Sequence, residues 1–168
     1  QDGDGLGIYA RRLTLQTTAP EASKTLLPEG EEFRINQERS GDQIHATVEI
    51  DTNGNVLIAW EDWSTGNAQI KARRFQLDGS GSSDEFLLGA DHMKRQTLPC
   101  LAPLSAGNFV AVWAENQAED GIPLGLNGRI IAVDGEHGDF FTIDEALEAG
   151  IEPSLDSDGC SRFAVAWM

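Results

Sequence analysis

The histidines are the side chains in this sequence best suited to zinc binding near neutral pH, but their spacing argues against a metal site. His45, His92 and His137 precede the tryptophans that follow them by 15, 21 and 30 residues and form no close pair. The sequence also lacks a G-x-S-x-G motif, a phosphate-binding loop and a Cys-His nucleophile signature. We therefore predict no catalytic residues. Adjacent acids such as Glu61 and Asp62 leave a carboxylate-based hydrolase or lyase as an alternative.

Two loops rich in aspartate, asparagine and glycine are candidates for metal binding. They are Asp2-Gly3-Asp4-Gly5 and the loop from Asp51 to Asn55. Clustered oxygen ligands suit calcium, and glycine permits the tight turn around the ion. Neither loop continues to a bidentate acid at EF-hand spacing, and the same residue types make ordinary turns. Turn chemistry is the simpler interpretation, with calcium at Asp2 and Asp4 as the alternative.

Four arginines occur as two adjacent pairs, Arg11-Arg12 and Arg73-Arg74. Their guanidinium groups could bind a carboxylate or sulfate ligand. On half-exposed strands, however, arginine commonly pairs with acids across the sheet, and this chain is rich in acids. We expect the second arrangement.

The elements that would position these residues follow from a tandem repeat. The segment Gly54 to Trp60 returns as Gly107 to Trp113 and as Ser161 to Trp167, so the tryptophans lie 53 and then 54 residues apart. A period of this length indicates an array of supersecondary units. Each unit contains four short apolar runs separated by turn residues, which predicts an all-β protein. The 168 residues suit a single domain, 1–168, with repeats of about 1–61, 62–114 and 115–168.

Two segments depart from this regular pattern. Residues 14–30, with Pro20 and Pro28, are predicted to be a loop insertion, because the second repeat bridges the same place with a short turn. Residues 143–149 are the best place for a turn of helix, since acids and alanines tolerate it.

The tryptophan strand is apolar on both faces. Val56, Ile58 and Trp60 point to one side, and Leu57 and Ala59 point to the other. In a β-sandwich the outward side would be polar, whereas a propeller blade lies between two neighbouring blades. The pattern therefore favours four-stranded blades of the β-propeller type.

These columns resemble a repeat of large secreted or surface-attached bacterial proteins, of the form G-x-F-V-V-x-W, D-G-x-G-x-G-I-Y-A-x-R-F, G-x-E-F-x-V-N and Q-x-x-P. The matching segments are Gly107 to Trp113, Asp2 to Leu13, Gly30 to Asn36 and Gln96 to Pro99. The resemblance implies a propeller fold and an extracellular or cell-surface location, with no particular activity. The third repeat departs from it at Arg129 to Ala132, so the arginine column is not expected to form a ring of equal sites.

The net charge, the apolar runs and the cysteine positions each exclude one kind of interaction. With 12 basic and 28 acidic residues the formal net charge is −16, which opposes nucleic acid binding. No apolar run approaches the ~18 residues of a membrane span, so we expect no membrane insertion. Cys100 and Cys160 lie 13 and 7 residues before their tryptophans, at different heights in neighbouring units, and are not expected to form a disulfide.

The blade phase predicts where a ligand would bind. If the strands that begin near Gln43 and Gln96 are innermost, the loops within 37–43, 61–67, 90–96, 114–126 and 145–149 emerge on one face. Propellers commonly bind at such loop-built faces. This favours a non-catalytic binding or adhesion module for a protein or glycan, with a structural spacer in an acidic surface array as a further alternative. The predicted contacts are Trp63, Asp62, Arg39, His92, Lys94, Arg95, Glu119 and Asp120. Trp63 leads them because it lies outside the repeated tryptophan column, although a packing role is its alternative.

The same phase divides one blade between the two ends of the sequence. Residues 44–89 and 97–144 would each form a complete blade, whereas the third would combine inner strands at 150–157 and 161–168 with outer strands at 7–13 and 31–36. Three blades are fewer than the four to eight of known propellers. Left without a partner, the Trp167 strand would expose an apolar edge. We therefore predict a six-bladed ring completed by a second copy. The alternative is that this chain is one piece of a longer or cleaved propeller whose missing blades come from a different polypeptide.

Overall fold

The computed structural model describes residues 4–17, 24–78, 81, 83–89, 94–145 and 152–168. The regular secondary structure of these residues consists of β-strands and one 3₁₀ turn at Ser105–Gly107, with no α-helix, which confirms the predicted all-β class. The strands in chain order are β1 (Tyr9–Thr17), β2 (Lys24–Arg34), β3 (Gln43–Ile50), β4 (Asn55–Asp62), β5 (Gln69–Gln76), β6 (Phe86–Leu87), β7 (Lys94–Pro103), β8 (Phe109–Gln117), β9 (Pro123–Ile131), β10 (His137–Asp144), β11 (Ser154–Ser157) and β12 (Phe163–Ala166).

Every strand pairing recorded in the described residues is antiparallel, and the strands form four sheets. Strands β3-β4-β5-β6 and β7-β8-β9-β10 make two complete four-stranded meanders, as the phase of the repeat predicts. Strands β1-β2 and β11-β12 each make a two-stranded sheet. We call β1-β2 the outer half-sheet and β11-β12 the inner half-sheet, by the strand positions they match in the complete sheets.

The predicted loop insertion at 14–30 is wrong where the structure describes it. Strand β1 continues to Thr17 and β2 begins at Lys24, so the two strands extend as a paired ribbon. Alternating threonine and leucine residues favour this extension, and Leu15 pairs with Leu26 across it. Pro28 is tolerated because β2 lies at a sheet edge, where a missing N–H breaks no ladder. The predicted helical turn also fails at its start, since β10 runs to Asp144, and residues 146–149 lie outside the described part.

The core consists of layers between successive sheets. Leu57 and Ala59 on β4 pack with Trp113 on β8, joining the two complete sheets. The opposite face of β4, including Trp60, packs against the outer half-sheet. The opposite face of β8 packs against β11 and β12 through residues such as Val165. The sheets therefore stack in chain order. The second strand of each complete sheet, β4 or β8, is apolar on both faces because neighbouring sheets cover both of them.

The third tryptophan has a different environment from the other two. Trp60 and Trp113 are 0% exposed, whereas Trp167 is 39% exposed. The difference arises because β12 pairs with β11 alone and has no strand on its other edge in the described chain. Near this half-sheet the Cys100 thiol donates to the Pro153 carbonyl at 2.9 Å, and burial raises the pKa of that thiol. Both cysteines are free thiols.

Arginines of the repeat donate hydrogen bonds to backbone carbonyls of neighbouring sheets, and their predicted pairing with acids stays a prediction. Arg73 donates to the carbonyl of Ile35 on the outer half-sheet at 2.8 Å, and Arg129 donates to the carbonyl of Leu88 on the preceding sheet at 3.2 Å. These contacts reach across sheets to backbone oxygens rather than to acids. Arg73 pairs with Ile58 of β4, and Arg129 pairs with Ala111 at the equivalent position of β8. Arg129 is therefore the counterpart of Arg73 in the second complete sheet.

Candidate functional site

Several predicted contact segments lie side by side at one end of the two complete sheets. The amide of Trp63 donates to the carbonyl of Asp42 at 2.9 Å, which joins the loop before β3 to the loop after β4. Asn67 Nδ2 donates to the Lys94 carbonyl at 3.1 Å, and this contact brings in the start of β7. Arg95 Nη2 donates to the carbonyl of Ala118 at 2.8 Å, which adds the β8–β9 loop. We call residues 37–42, 61–67, 94–95 and 116–122 the loop face.

Trp63 is half-buried at the centre of these contacts, and its ring is fixed from two directions. The indole Nε1 donates to Glu61 Oε2 at 3.1 Å. The Arg95 guanidinium carbon lies 5.3 Å from the ring centre, in a cation–π arrangement. Gly41 allows the neighbouring loop to approach, since it has φ +66° and a Cβ there would stand 2.9 Å from the Trp63 carbonyl oxygen. The orientation of the ring is therefore set before any ligand binds.

The carboxylate of Glu61 holds the Trp63 ring in place, and Glu61 itself is only 1% exposed. Its Oε1 lies 2.8 Å from His45 Nδ1 and accepts the Leu98 amide at 2.9 Å. His45 and Leu98 have φ of 51° and 54° at matching irregularities of β3 and β7. Such bulges redirect side chains and often lie next to binding sites. The buried carboxylate thus ties Trp63 to the first strands of both complete sheets.

Sequence reasoning did not identify the role of Glu61 or the bulge at His45. One signal was available. The second repeat has Ala114 where the first has Glu61, so the packing of the repeat does not require an acid at this position. The positive φ of His45 has no comparable signal, since neither glycine nor asparagine marks it.

Asp62 is buried beneath the loop face and does not face solvent. Lys71 Nζ lies 2.5 Å from its Oδ2, and the Ser64 amide donates to Oδ1 at 2.8 Å. Burial of Lys71 favours its neutral form, but the ion pair with Asp62, aided by Glu85, outweighs burial and raises the pKa of the amine. Asp62 therefore supports the loop that carries Trp63.

The other predicted contact residues differ in their exposure and in their partners. Lys94 Nζ forms an ion pair with Glu115 Oε2 at 2.8 Å and remains partly exposed. Arg39, Glu119 and Asp120 are exposed, and Asp120 shapes its own turn by accepting the Ile122 amide at 3.0 Å. His92 lies outside the described residues.

Glu38 fixes the loop on which Arg39 stands. Its Oε1 accepts the Ser40 hydroxyl at 2.7 Å, the Ser40 amide at 2.8 Å and the Arg39 amide at 2.7 Å. These hydrogen bonds, led by the Ser40 hydroxyl, stabilise the ionised form and lower the pKa of Glu38 to about 2. The loop is therefore organised by a carboxylate that stays charged in mild acid.

The carboxylate of Asp51 organises its own acidic loop. Asp51 accepts the amides of Asn53 and Asn55, both at 2.8 Å, and the Asn55 side chain at 2.6 Å. Burial opposes the charge of Asp51, but the hydrogen bonds from Asn55 and Asn53 outweigh it and lower the pKa. Asp4 is exposed, and Asp2 lies outside the described residues. Among the described side chains no group of three or more His, Cys, Asp or Glu residues is arranged to hold a metal. Calcium binding stays a prediction.

Comparison with known proteins gives one structural similarity. No protein-family profile matches the chain, and no curated protein matches it. An endo-arabinase from Bacteroides thetaiotaomicron superposes with a TM-score of 0.47 and 19% identity, over 74% of this chain and 50% of that one. The chain thus spans about half the length of the matched structure, and a similarity of this degree carries no argument about its activity. Among the described residues no helix is long and apolar enough to cross a membrane.

Proposed function

We propose that this chain is a non-catalytic binding or adhesion module of the β-propeller type, and that its loop face contacts a protein or glycan outside the cell. The observation that carries the proposal is the fixed ring of Trp63, held by Glu61 and Arg95 on a surface built from loops of two sheets. Ordering this ring before binding removes part of the entropic cost of association. Its large amphipathic surface suits both sugar rings and apolar side chains.

The packing of the sheets supports the propeller part of the proposal. Two four-stranded antiparallel meanders stack face to face, and each has a middle strand covered on both sides. This is the arrangement of successive propeller blades. We further propose that the blades belong to a six-bladed ring completed by a second chain. The acidic composition and the sequence resemblance support an extracellular or cell-surface location.

The border of Trp63 supports a neutral or mixed-charge ligand. On the loop face Arg39 is an exposed cation and Lys94 is paired with Glu115, while Glu119 and Asp120 place anions on the β8–β9 loop. A phosphate-rich polymer would meet these acids and the net charge of −16, so nucleic acid is a poor ligand.

The occupied acids argue against the hydrolase or lyase alternative. Such chemistry needs a carboxylate that can reach a substrate proton. Glu61 is buried and engaged with three partners, and Asp62 is engaged by Lys71 and Ser64. In this proposal both carboxylates act as structural supports. The spacer alternative needs no fixed aromatic contact, so a binding assay separates it from the proposal.

The proposal is tested with the whole chain on a glycan array and in protein capture from intact cells, followed by titration of any ligand found. Trp63→Ala should raise the Kd at least tenfold, since tenfold corresponds to about 1.4 kcal/mol. Val133→Ala is the matched control, because Val133 is 52% exposed in the β9–β10 turn, at the opposite end of the strands. Equal affinity of Trp63→Ala and wild type would refute the proposed face. Turnover of a substrate, lost in Glu61→Gln, would refute the non-catalytic assignment.

A further inference from the structure

A cleft of about 460 Å³ opens between the two complete sheets, at the end of the strands opposite the loop face. Its described lining comes from β4, β5, β6 and the segment before β6 on one side, and from the β9–β10 turn and the start of β10 on the other. The volume is at the small end of the roughly 300–1,000 Å³ of small-molecule pockets. We propose that this cleft is a second binding site, which takes a small zwitterion of the α-amino acid class with an apolar side chain. The site is separate from the loop face and independent of the ligand proposed there.

Arg74 brings a positive charge to this cleft, and its described hydrogen bonds go to neutral groups. Its Nη2 donates to the carbonyls of Ile131 and Ala132, at 3.3 Å to Ile131. Its Nε is buried and has no hydrogen-bond partner among the described residues. Burial lowers the pKa of Arg74, against the nearby charges of Asp134 and Asp51. A carboxylate in the cleft would therefore restore stabilisation that burial removes from the guanidinium.

Asp134 brings the opposite charge to the same cleft. Its Oδ1 accepts the Glu136 amide at 3.0 Å, and the residue is exposed. Among the described residues no ion pair joins Asp134 to Arg74, although its charge acts on that guanidinium. A cation and an anion that line one cleft without pairing suit a ligand that carries both charges. An α-amino acid carries them on adjacent groups, with its carboxylate towards Arg74 and its ammonium group towards Asp134.

Apolar side chains lie beside these two charged groups. Val56, Phe75 and Phe86 line the cleft, and the Phe86 ring centre lies 4.8 Å from that of His137. Small-molecule sites commonly combine apolar walls with a few polar groups that fix the orientation of the ligand. The walls therefore favour an amino acid with an apolar or aromatic side chain over one with a further charge.

His137 adds a polar atom without a partner and provides a means of observing the site. Its Nδ1 is buried and accepts or donates no hydrogen bond within the described part of the chain. Burial lowers the pKa of His137, and the positive charges of Arg129 and Arg74 lower it further. The imidazole is therefore neutral near pH 7. A ligand carboxylate beside Arg74 would offset part of this repulsion and raise the pKa of His137.

The other role of Arg74 is a structural tie between the two sheets. Arg12 of the outer half-sheet makes a similar tie, since it donates to the carbonyl of Leu77 at 3.1 Å. The repeat does not require such an arginine, however, because Ile130 holds the position of Arg74 in the second complete sheet. The tie uses Nη2 and leaves Nη1 with one long hydrogen bond, of 3.5 Å to the Gly107 carbonyl. A ligand can therefore bind without breaking the tie.

The test compares three ligands that differ in their charged groups. They are L-phenylalanine, its amide, which lacks the carboxylate, and 3-phenylpropanoate, which lacks the ammonium group. Each is titrated into the whole chain near pH 7 while the imidazole NMR signal of His137, assigned with His137→Gln, is followed. L-Phenylalanine should shift this signal saturably and raise the pKa of His137. Its Kd should be roughly tenfold or more below those of the other two ligands, because each of them lacks one charge-assisted contact.

Two variants assign the charges to their side chains. Arg74→Gln should make L-phenylalanine and its amide bind equally, and Asp134→Asn should do the same for L-phenylalanine and 3-phenylpropanoate. Asp134→Asn replaces an exposed side chain by one of the same shape, so it tests the site even where loss of the Arg74 tie unfolds the other variant. Glu31→Gln, which removes an exposed acid on β2, is the matched control and should bind all three ligands as wild type does.

Three results would overturn the inference. They are the absence of a saturable His137 shift with L-phenylalanine at millimolar concentration, similar affinity for all three ligands, and a folded Asp134→Asn variant that still prefers L-phenylalanine to 3-phenylpropanoate. Tighter binding of 3-phenylpropanoate than of L-phenylalanine would also overturn it, and would assign the cleft to simple carboxylates. Trp63→Ala should bind L-phenylalanine as wild type does, so this site and the loop face are tested separately.

Discussion

Truncating Trp113 tests whether the space between the two complete sheets is the main core of the molecule. The side chain is 0% exposed, packs with Leu57, Ala59 and Leu101, and meets the edge of the Phe140 ring at a centroid distance of 6.0 Å. Trp113→Ala removes these contacts and leaves a cavity, which should cost about 3–5 kcal/mol in the free energy of unfolding. For a chain of this length each kcal/mol lowers Tm by about 2–4 °C, so the expected fall is roughly 6–20 °C.

A second substitution at this position separates packing from hydrogen bonding. Trp113 Nε1 is buried and has no hydrogen-bond partner among the described residues. Trp113→Phe should therefore cost only about 1 kcal/mol, because the smaller ring leaves a cavity but removes an unpaired donor. Urea unfolding and thermal unfolding, both followed by circular dichroism, measure both variants, with Val133→Ala as the exposed control. A fall in Tm below about 2 °C for Trp113→Ala would refute the assignment of this residue to the core.

Two further predictions concern charged groups. The pKa of Glu38 is lowered to about 2, so its contribution to loop order is present above the unfolded value of 4.5 and is lost as pH falls through about 2. NMR titration should show the Ser40 amide shift changing near pH 2, and a midpoint near 4.5 would contradict the hydrogen bonding described. The pKa of Lys71 is raised, so its pair with Asp62 should stabilise the fold below pH 10.5 and lose this effect as pH rises through the folded value. Lys71→Met, which leaves Asp62 buried without its cation, should cost about 2 kcal/mol near neutral pH by urea unfolding, and an unchanged midpoint would show that the pair is dispensable.

The sheets could be predicted because the relevant signal is repeated. The apolar columns that end at Trp60, Trp113 and Trp167 fix which strands lie in the middle of a sheet, and their period fixes the phase. That phase correctly separates the two complete sheets from the two half-sheets. The exposure of Trp167 follows from the same reasoning, since it depends on strand count and not on fine packing.

The candidate site could be predicted only as a region. The loop that carries Trp63 and the start of β7, which carries Arg95, do meet, because strand order alone brings them to one end of the sheets. Which acid supports the ring could not be read from the sequence. Glu61 and Asp62 are adjacent and chemically similar, and only the tertiary neighbours decide that one bonds the indole and the other bonds Lys71. The acceptors of Arg73 were missed for the same reason, since backbone carbonyls leave no mark in a sequence.

The stacking of the sheets in chain order has a consequence for how the molecule opens. Hydrophobic clusters join each sheet to the one before it and the one after it, so stability is shared mainly between sequential neighbours. In the described chain the inner half-sheet is a separate two-stranded sheet that packs on β8 through one face, so in the absence of a completing chain it should open at a lower free energy than the complete sheets. The two complete sheets support each other through Trp113 and should open together, at a free energy close to that of global unfolding. The two complete sheets would thus form the cooperative centre of the described chain.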